Sequence, residues 1–174
     1  MKKKIFKSKG ILFWITGLSG SGKSTIAELI KDKIIKEYGT TIIFNGDDLR
    51  KTLNLNNYSL KGRLENGYKF IDLFKFITDQ KINVIFAGVG MFHKLRSYNK
   101  KNFKNYIEIY IKTDIDKIVS VGKKKIYNNK KNKIVGRDLI AEFPKKPDII
   151  LENDFNKNIN FLSKKLFKEI KSKI

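Results

Sequence analysis

The chain has 174 residues, with 38 Lys+Arg against 17 Asp+Glu and a net charge of +21. That length suits a single domain, residues 1–174, with a core of its own and residues 1–10 as a basic N-terminal extension. The absence of Cys excludes disulfides, thiolate metal sites and a cysteine nucleophile, and a single His excludes a histidine-built metal centre.

Ile11–Ile15 is a continuous apolar run, the pattern of a central parallel strand buried on both faces. Thr16 and a Gly-rich stretch follow. Ser24–Lys36 then carries Ile26, Ala27, Leu29, Ile30 and Ile34 at helical spacing, with Gly39 where a helix C-cap belongs. Thr41–Phe44 reads as a second strand, and residues 48–80 as mostly helical with a break around 54–59. Asn83–Ala87 and Tyr106–Ile111 are the third and fourth strands, with Thr113 or Asp114 capping the helix that follows. Gly122–Lys133 (GKKKIYNNKKNK) is too polar for core, and is either a solvated loop or a basic lid over a phosphate site. Ile149–Leu151 is a short fifth strand, and Phe155–Ile174 an amphipathic helix with Ile159, Leu162, Leu166, Phe167 and Ile170 inward. Strands alternating with helices predict an α/β protein, a parallel sheet of about five strands with helices on both faces, which together with the phosphate loop described next is the P-loop NTPase fold.

The strongest chemical signal is the stretch Gly17, Leu18, Ser19, Gly20, Ser21, Gly22, Lys23, Ser24, which matches G-x-x-x-x-G-K-[ST] between a strand and a helix. Glycines let the backbone curl so that several N–H groups face phosphate oxygens. The helix N-terminus adds its positive dipole end. Lys23 is predicted to reach the β- and γ-phosphates, and the Ser24 hydroxyl to coordinate Mg²⁺, with Thr25 completing the nucleotide-binding stretch. A phosphate cradle identifies an NTP site without identifying the reaction. The third strand ends without the Asp usual there, no guanine-reading N-K-x-D occurs, and the chain is too short for a motor core. A small kinase with ATP and Mg²⁺ as cofactors is the remaining design.

The pI near 10.0 points to polyanions or to a lysine-covered surface. Lys greatly outnumbers Arg, which favours general solvation, because Arg is the fork that reads phosphate specifically. No run approaches the ~18 apolar residues of a membrane span. The basic start MKKKIFKSKG leads into an apolar run too short for a signal peptide, so a cytoplasmic protein is expected. A nucleic-acid-binding P-loop module remains a remote alternative, without a basic aromatic face to carry it.

Asn45-Gly46-Asp47-Asp48-Leu49-Arg50 follows the second strand, whose C-terminal end faces the same crevice as the phosphate loop. A carboxylate there can take a proton from an attacking hydroxyl or hold Mg²⁺ waters, and Arg50 can fork onto an anionic substrate. GLSGSGKST followed by NGDDLR resembles the adenylylsulfate kinase family, whose second motif reads D-G-D-x-x-R. Tyr58-Ser59 with Arg63-Leu-Glu-Asn66 resembles the family's G-F-S…D-R-x-x-N, Lys124–Tyr127 its K-G-L-Y, and Gly136–Asp148 its G-I-D-x-x-Y-E-x-P-x-x-P-D segment, so the resemblance spans roughly residues 10–153. It implies transfer of the ATP γ-phosphoryl to a nucleotide ribose 3′-hydroxyl. By the same resemblance Lys23, Asp47 and Lys124 are catalytic, Ser24 and Asp47 serve the metal, and Asp47, Arg50, Tyr58, Arg63, Asn66, Val89, Gly90, Lys124 and Ile134 contact the acceptor.

The departures from the family pattern gather on the acceptor side. Asn45 replaces the first Asp, Gly90 stands where the family has a serine phosphorylated in some members, Val121-Gly122 replace an Arg-Asp pair, and Ile134 replaces one of two aromatic rings that sandwich adenine. Each base–aromatic contact is worth on the order of 1–3 kcal/mol, and a purine gains more from a double sandwich than a pyrimidine does. The donor side is therefore expected to be kept and the acceptor changed. One branch of the family, serving capsule phosphoramidate synthesis, phosphorylates cytidine diphosphoramidate, and that acceptor is the leading expectation. Adenylylsulfate in sulfate assimilation is the alternative. The expected partner is a nucleotide small molecule, with no nucleic acid and no membrane, and a homodimer is left open. His93 is expected to be a solvated loop residue.

Overall fold

The computed structural model describes residues 8–122, 127 and 134–174. Five strands, β1 (Leu12–Gly17), β2 (Thr41–Asn45), β3 (Asn83–Gly88), β4 (Tyr106–Lys112) and β5 (Ile149–Glu152), form one sheet in the order β2-β3-β1-β4-β5. All four pairings are parallel, with Leu12 level with both Val84 and Tyr106. Every residue of β1 and β3 is buried, as expected for strands covered on both faces.

Alternation along the strands divides the core. Phe13, Ile15, Ile85, Ile109 and Ile111 point to one face and pack against Ile26, Ile30 and Ile34 of α1 (Lys23–Tyr38) and Leu162, Leu166 and Ile170 of α6 (Ile159–Lys173). Leu12, Trp14, Val84 and Phe86 point the other way, toward Leu49 of α2 (Gly46–Thr52), Phe70, Ile71 and Phe74 of α3 (Leu60–Asp79), and Leu95 of α4 (His93–Asn102). A third apolar group, with Leu18, Met91, Tyr110, Tyr127 and Ile134, and with Ile118 of α5 (Ile115–Ser120), closes the sheet's C-terminal edge. This is the predicted P-loop α/β architecture. Of the expected lid, Gly122–Lys133, Gly122 and Tyr127 are described, and its other residues, Lys124 among them, lie outside the described residues.

The caps explain most boundaries. Ser59 accepts from the Gly62 N–H at 3.1 Å and starts α3, so the chain between α2 and α3 is the predicted break. Asp114 accepts from the Asp116 N–H at 2.8 Å and caps α5, deciding between the two expected caps. Two expectations are corrected. The last helix begins at Ile159 rather than Phe155. Phe155 has φ 64°, which no helix admits, and Asn158 caps the true start by accepting from the Asn160 N–H. Helix α4 has no counterpart in the sequence reading, and His93 is its first residue rather than a solvated loop side chain. Among the described residues no helix is long and apolar enough to cross a membrane.

Candidate active site

A cleft of about 340 Å³ opens at the C-terminal edge of the sheet, beside β1, where neighbouring connections diverge. Its donor wall is the loop after β1 and the first turn of α1. Gly20 and Gly22 have φ 89° and 92°, left-handed values that let the backbone curl around a phosphate. Ser21 is fully buried, and its backbone N–H donates to the Leu18 carbonyl at 3.2 Å. Lys23 is also buried, and its Nζ donates to the Leu18 carbonyl at 2.6 Å. Ser24 and Thr25 are exposed on the cleft.

The loop is held from outside the motif. Asn153, just past the end of β5, is buried, and its Nδ2 donates to the Ser21 carbonyl at 2.9 Å. A Cβ on Gly22 would lie 3.1 Å from that same Nδ2. Tyr127 donates its hydroxyl to the Ser19 carbonyl at 2.8 Å, and burial pushes that phenol's pKa up. Sequence reasoning did not name Asn153 as a site residue. Its position immediately beyond a strand's C-terminal end was the available signal, because ligands in open α/β sheets sit there.

The acceptor wall rises from β2, α2 and the loop after β3. Asp47 occupies the first turn of α2 with its side chain 88% exposed, 3.3 Å from Arg50 Nη1. Arg50 also donates to the Gly46 carbonyl at 3.4 Å. Two guanidinium groups lie close to the Tyr58 ring, Arg50 at 5.8 Å and Arg63 at 5.4 Å from its centroid. Arg63 Nε donates to the Tyr58 carbonyl at 3.0 Å; burial, and then the Arg50 charge, pull its pKa below the ordinary value. Val89 lines the cleft, whereas Gly90 lies beside it on the same loop.

Buried polar atoms are nearly always paired. Asn45 Oδ1, Arg50 Nε, Asn66 Nδ2 and Trp14 Nε1 are buried without a hydrogen-bond partner among the described residues. The first three belong to the acceptor wall or its motif, so that wall suits a polar ligand. Gly90 has φ 46°, and a Cβ there would lie 2.8 Å from the Trp14 ring, so no serine fits without movement. Ile134 is buried in the third apolar group and does not line the cleft. Its N–H donates to Asp138 Oδ2 at 2.8 Å.

Among the described residues no group of three His, Cys, Asp or Glu gathers to hold a metal unaided. The Ser24 hydroxyl and the Asp47 carboxylate offer hard oxygen donors only. That set fits a cation that draws most ligands from phosphate and water.

The family model described as adenylylsulphate kinase matches residues 9–152. The cytidine diphosphoramidate kinase of Campylobacter jejuni subsp. jejuni is 34% identical over 157 residues, spanning 88% of this chain and 92% of that protein. The adenylyl-sulfate kinase of Clostridium kluyveri is 31% identical over 179 residues, spanning 95% of this chain and 90% of that one. In fold, the chain is similar to the Mycobacterium tuberculosis APS kinase CysC solved with AMPPNP and APS. The TM-score is 0.83 at 23% identity, covering 94% of this chain and 98% of that one.

Proposed function

The chain belongs to the adenylylsulphate kinase family and is an ATP-dependent phosphotransferase, and on that footing we propose that its acceptor is cytidine diphosphoramidate, phosphorylated at the ribose 3′-hydroxyl. One observation carries the choice of base. Among the described residues, Tyr58 is the exposed aromatic ring of the acceptor motifs, while Ile134, where the family pattern has its second ring, is aliphatic and buried. One stacking face suits a pyrimidine better than it suits adenine. Arg50 and Arg63 beside that ring provide cationic forks for an anionic diphosphoramidate. The 34% identity to a named cytidine diphosphoramidate kinase supports the same reading.

In this reading the loop amides and Lys23 bind the triphosphate of ATP, and the pinned cradle holds the γ-phosphorus in line with the acceptor. Asp47 takes the proton of the 3′-hydroxyl as its oxygen bonds to phosphorus, and the bond to the ADP oxygen breaks. Ser24 and Asp47 would hold Mg²⁺, which when bound neutralises charge developing on the phosphate oxygens. Arg50, Arg63 and Asn66 orient the acceptor. Positioning and charge neutralisation account for most of the catalysis in such transfers.

The second reading, adenylylsulfate as acceptor, is favoured by the Clostridium kluyveri relative, whose likeness extends over more of the chain. Steady-state assays with both nucleotides separate the two. We expect kcat/KM to be at least about tenfold higher for cytidine diphosphoramidate, a difference of ~1.4 kcal/mol in transition-state binding. A higher value for adenylylsulfate rejects the proposal.

A further inference from the structure

Arg96 on α4 lies outside every motif discussed above, yet it is one of the most connected side chains behind the cleft. It is 4% exposed. Its Nε lies 3.1 Å from Glu108 Oε1 on β4, and Glu108 is itself buried, with Lys100 3.2 Å from its other oxygen. Nη1 donates to the Gly90 carbonyl at 3.3 Å, and Nη2 to the Glu142 carbonyl at 2.6 Å. The Glu142 N–H donates to the Met91 carbonyl at 3.2 Å, and the Glu142 carboxylate accepts from the His93 N–H. One guanidinium thus joins the loop that brings Val89 to the cleft with the segment that carries Glu142.

The fourth contact constrains chemistry. Arg96 Nη2 lies 2.7 Å from Nδ1 of His93. Guanidinium has donors and no acceptor, so Nδ1 must present a lone pair and the imidazole must be neutral with its proton on Nε2. A second proton would set N–H against N–H and cation against cation. His93 is half-buried and lines a cavity of about 470 Å³ with Ser97, Lys100, Lys145 and Lys146. The charged groups around it are Arg96 and Lys100 from α4, Glu108 from β4, and Glu142, Lys145 and Lys146 from the segment before β5.

We propose that Arg96 is a positioning residue for the acceptor nucleotide, holding the Val89–Gly90 loop through the Gly90 carbonyl, and that the neutral ring of His93 keeps its guanidinium turned to that task. The inference rests on the reading of this wall as the acceptor side. Loss of the His93 acceptor lets the guanidinium turn, takes the Nη1 donor from the Gly90 carbonyl, loosens the loop and weakens acceptor binding while leaving the ATP side untouched.

His93 is the sole histidine of the chain, so its ring is directly addressable. In the full-length protein with ¹⁵N-histidine, the ring signals should report the Nε2–H tautomer at neutral pH; an Nδ1–H tautomer overturns the proposal. Kinetically, the unmodified enzyme is compared with His93→Gln, whose amide oxygen accepts from Arg96, and with His93→Leu, which offers Arg96 no acceptor. His93→Leu should raise the acceptor KM about five- to tenfold with the ATP KM within about twofold, and His93→Gln should stay within about twofold of the unmodified enzyme in both. An unchanged acceptor KM in His93→Leu overturns the proposal.

Arg96→Lys keeps a cation opposite Glu108 but cannot span both carbonyls. It should raise the acceptor KM about tenfold, with kcat and the ATP KM within about twofold. Parallel losses in all three together with a lowered melting temperature would make Arg96 merely structural and defeat the inference. Turnover of neither nucleotide by the unmodified enzyme defeats the functional reading and this inference together. Turnover with the acceptor KM unchanged in His93→Leu and Arg96→Lys defeats this inference alone.

Discussion

At the scale of single residues, the donor chemistry rests on backbone shape and the acceptor chemistry on side chains. Lys23 lies inside the loop it serves, but the loop's curvature comes from left-handed Gly20 and Gly22 and from the Asn153–Ser21 bond. Lys23→Ala should therefore lower phosphoryl transfer by at least about 10²–10³-fold while the circular-dichroism melting curve stays within a few degrees. A variant that no longer folds would show that the ammonium shapes the loop. Asp47 is the opposite case, a carboxylate 88% exposed with Arg50 Nη1 at 3.3 Å. Exposed pairs of this kind contribute about 0–1 kcal/mol, so Asp47→Asn should leave stability nearly unchanged. Its kcat should fall by on the order of 10²–10⁴ for loss of a general base; a loss below tenfold would assign the carboxylate to orientation alone.

Among the elements, the informative cases are those that hydrophobic periodicity described poorly. Helix α4 buries Leu95 together with two polar residues, Arg96 and Asn99. A helix whose inner face is partly ionic leaves little apolar period to read, which is why His93–Asn102 was invisible before Glu108 was seen opposite it. The start of α6 was misread for a related reason. Phe155 continues the apolar pattern, but the residues after β5 are bent by side-chain caps: Asn153 Oδ1 accepts from the Phe155 N–H at 3.1 Å, and Asp154 Oδ1 from the Asn156 N–H at 3.1 Å. Asn153 itself is set at the end of β5, where its N–H donates to the Lys112 carbonyl at 2.9 Å. Asn153→Ala leaves the Ser21 carbonyl without this donor, a loss of about 1–3 kcal/mol. The variant should unfold at a correspondingly lower denaturant concentration, with the ATP KM rising more than the acceptor KM. An unchanged ATP KM would mean that the bond only stabilises β5.

For the whole molecule, β1 and its flanking strands form a sheet whose interior carries few ionisable groups, and Tyr106 on β4 is one of them. Burial, and then the nearby Glu108 charge, push its phenol well above the ordinary tyrosine value. Below about pH 10, the usual tyrosine pKa, both folded and unfolded chains hold the proton and no pH dependence arises. Above it the unfolded chain releases the proton while the folded chain keeps it, so stability falls as pH rises. Urea unfolding at about pH 9 and about pH 11 should show this loss, and Tyr106→Phe should show a smaller one, with the many lysines contributing equally to both. An identical slope in the two proteins would mean that the phenol ionises freely in the fold.

The sequence by itself determined the strands, the phosphate cradle and the family. Buried parallel strands must be continuous apolar runs, and a phosphate loop must present its glycines, lysine and serine in one contiguous order. Tyr58, Arg50 and Arg63 were legible as separate motif positions, but their arrangement around one ring was not, because it depends on how α2 and the start of α3 meet. The tertiary structure alone decided the rest: Asn153 pinning Ser21 across 132 positions, Trp14 closing the space at Gly90, Ile134 turned into an apolar cluster, and Arg96 tied to Glu108 and His93. Each depends on which polar or bulky group lies opposite which after the sheet has assembled, and local periodicity carries no record of partners so distant along the chain.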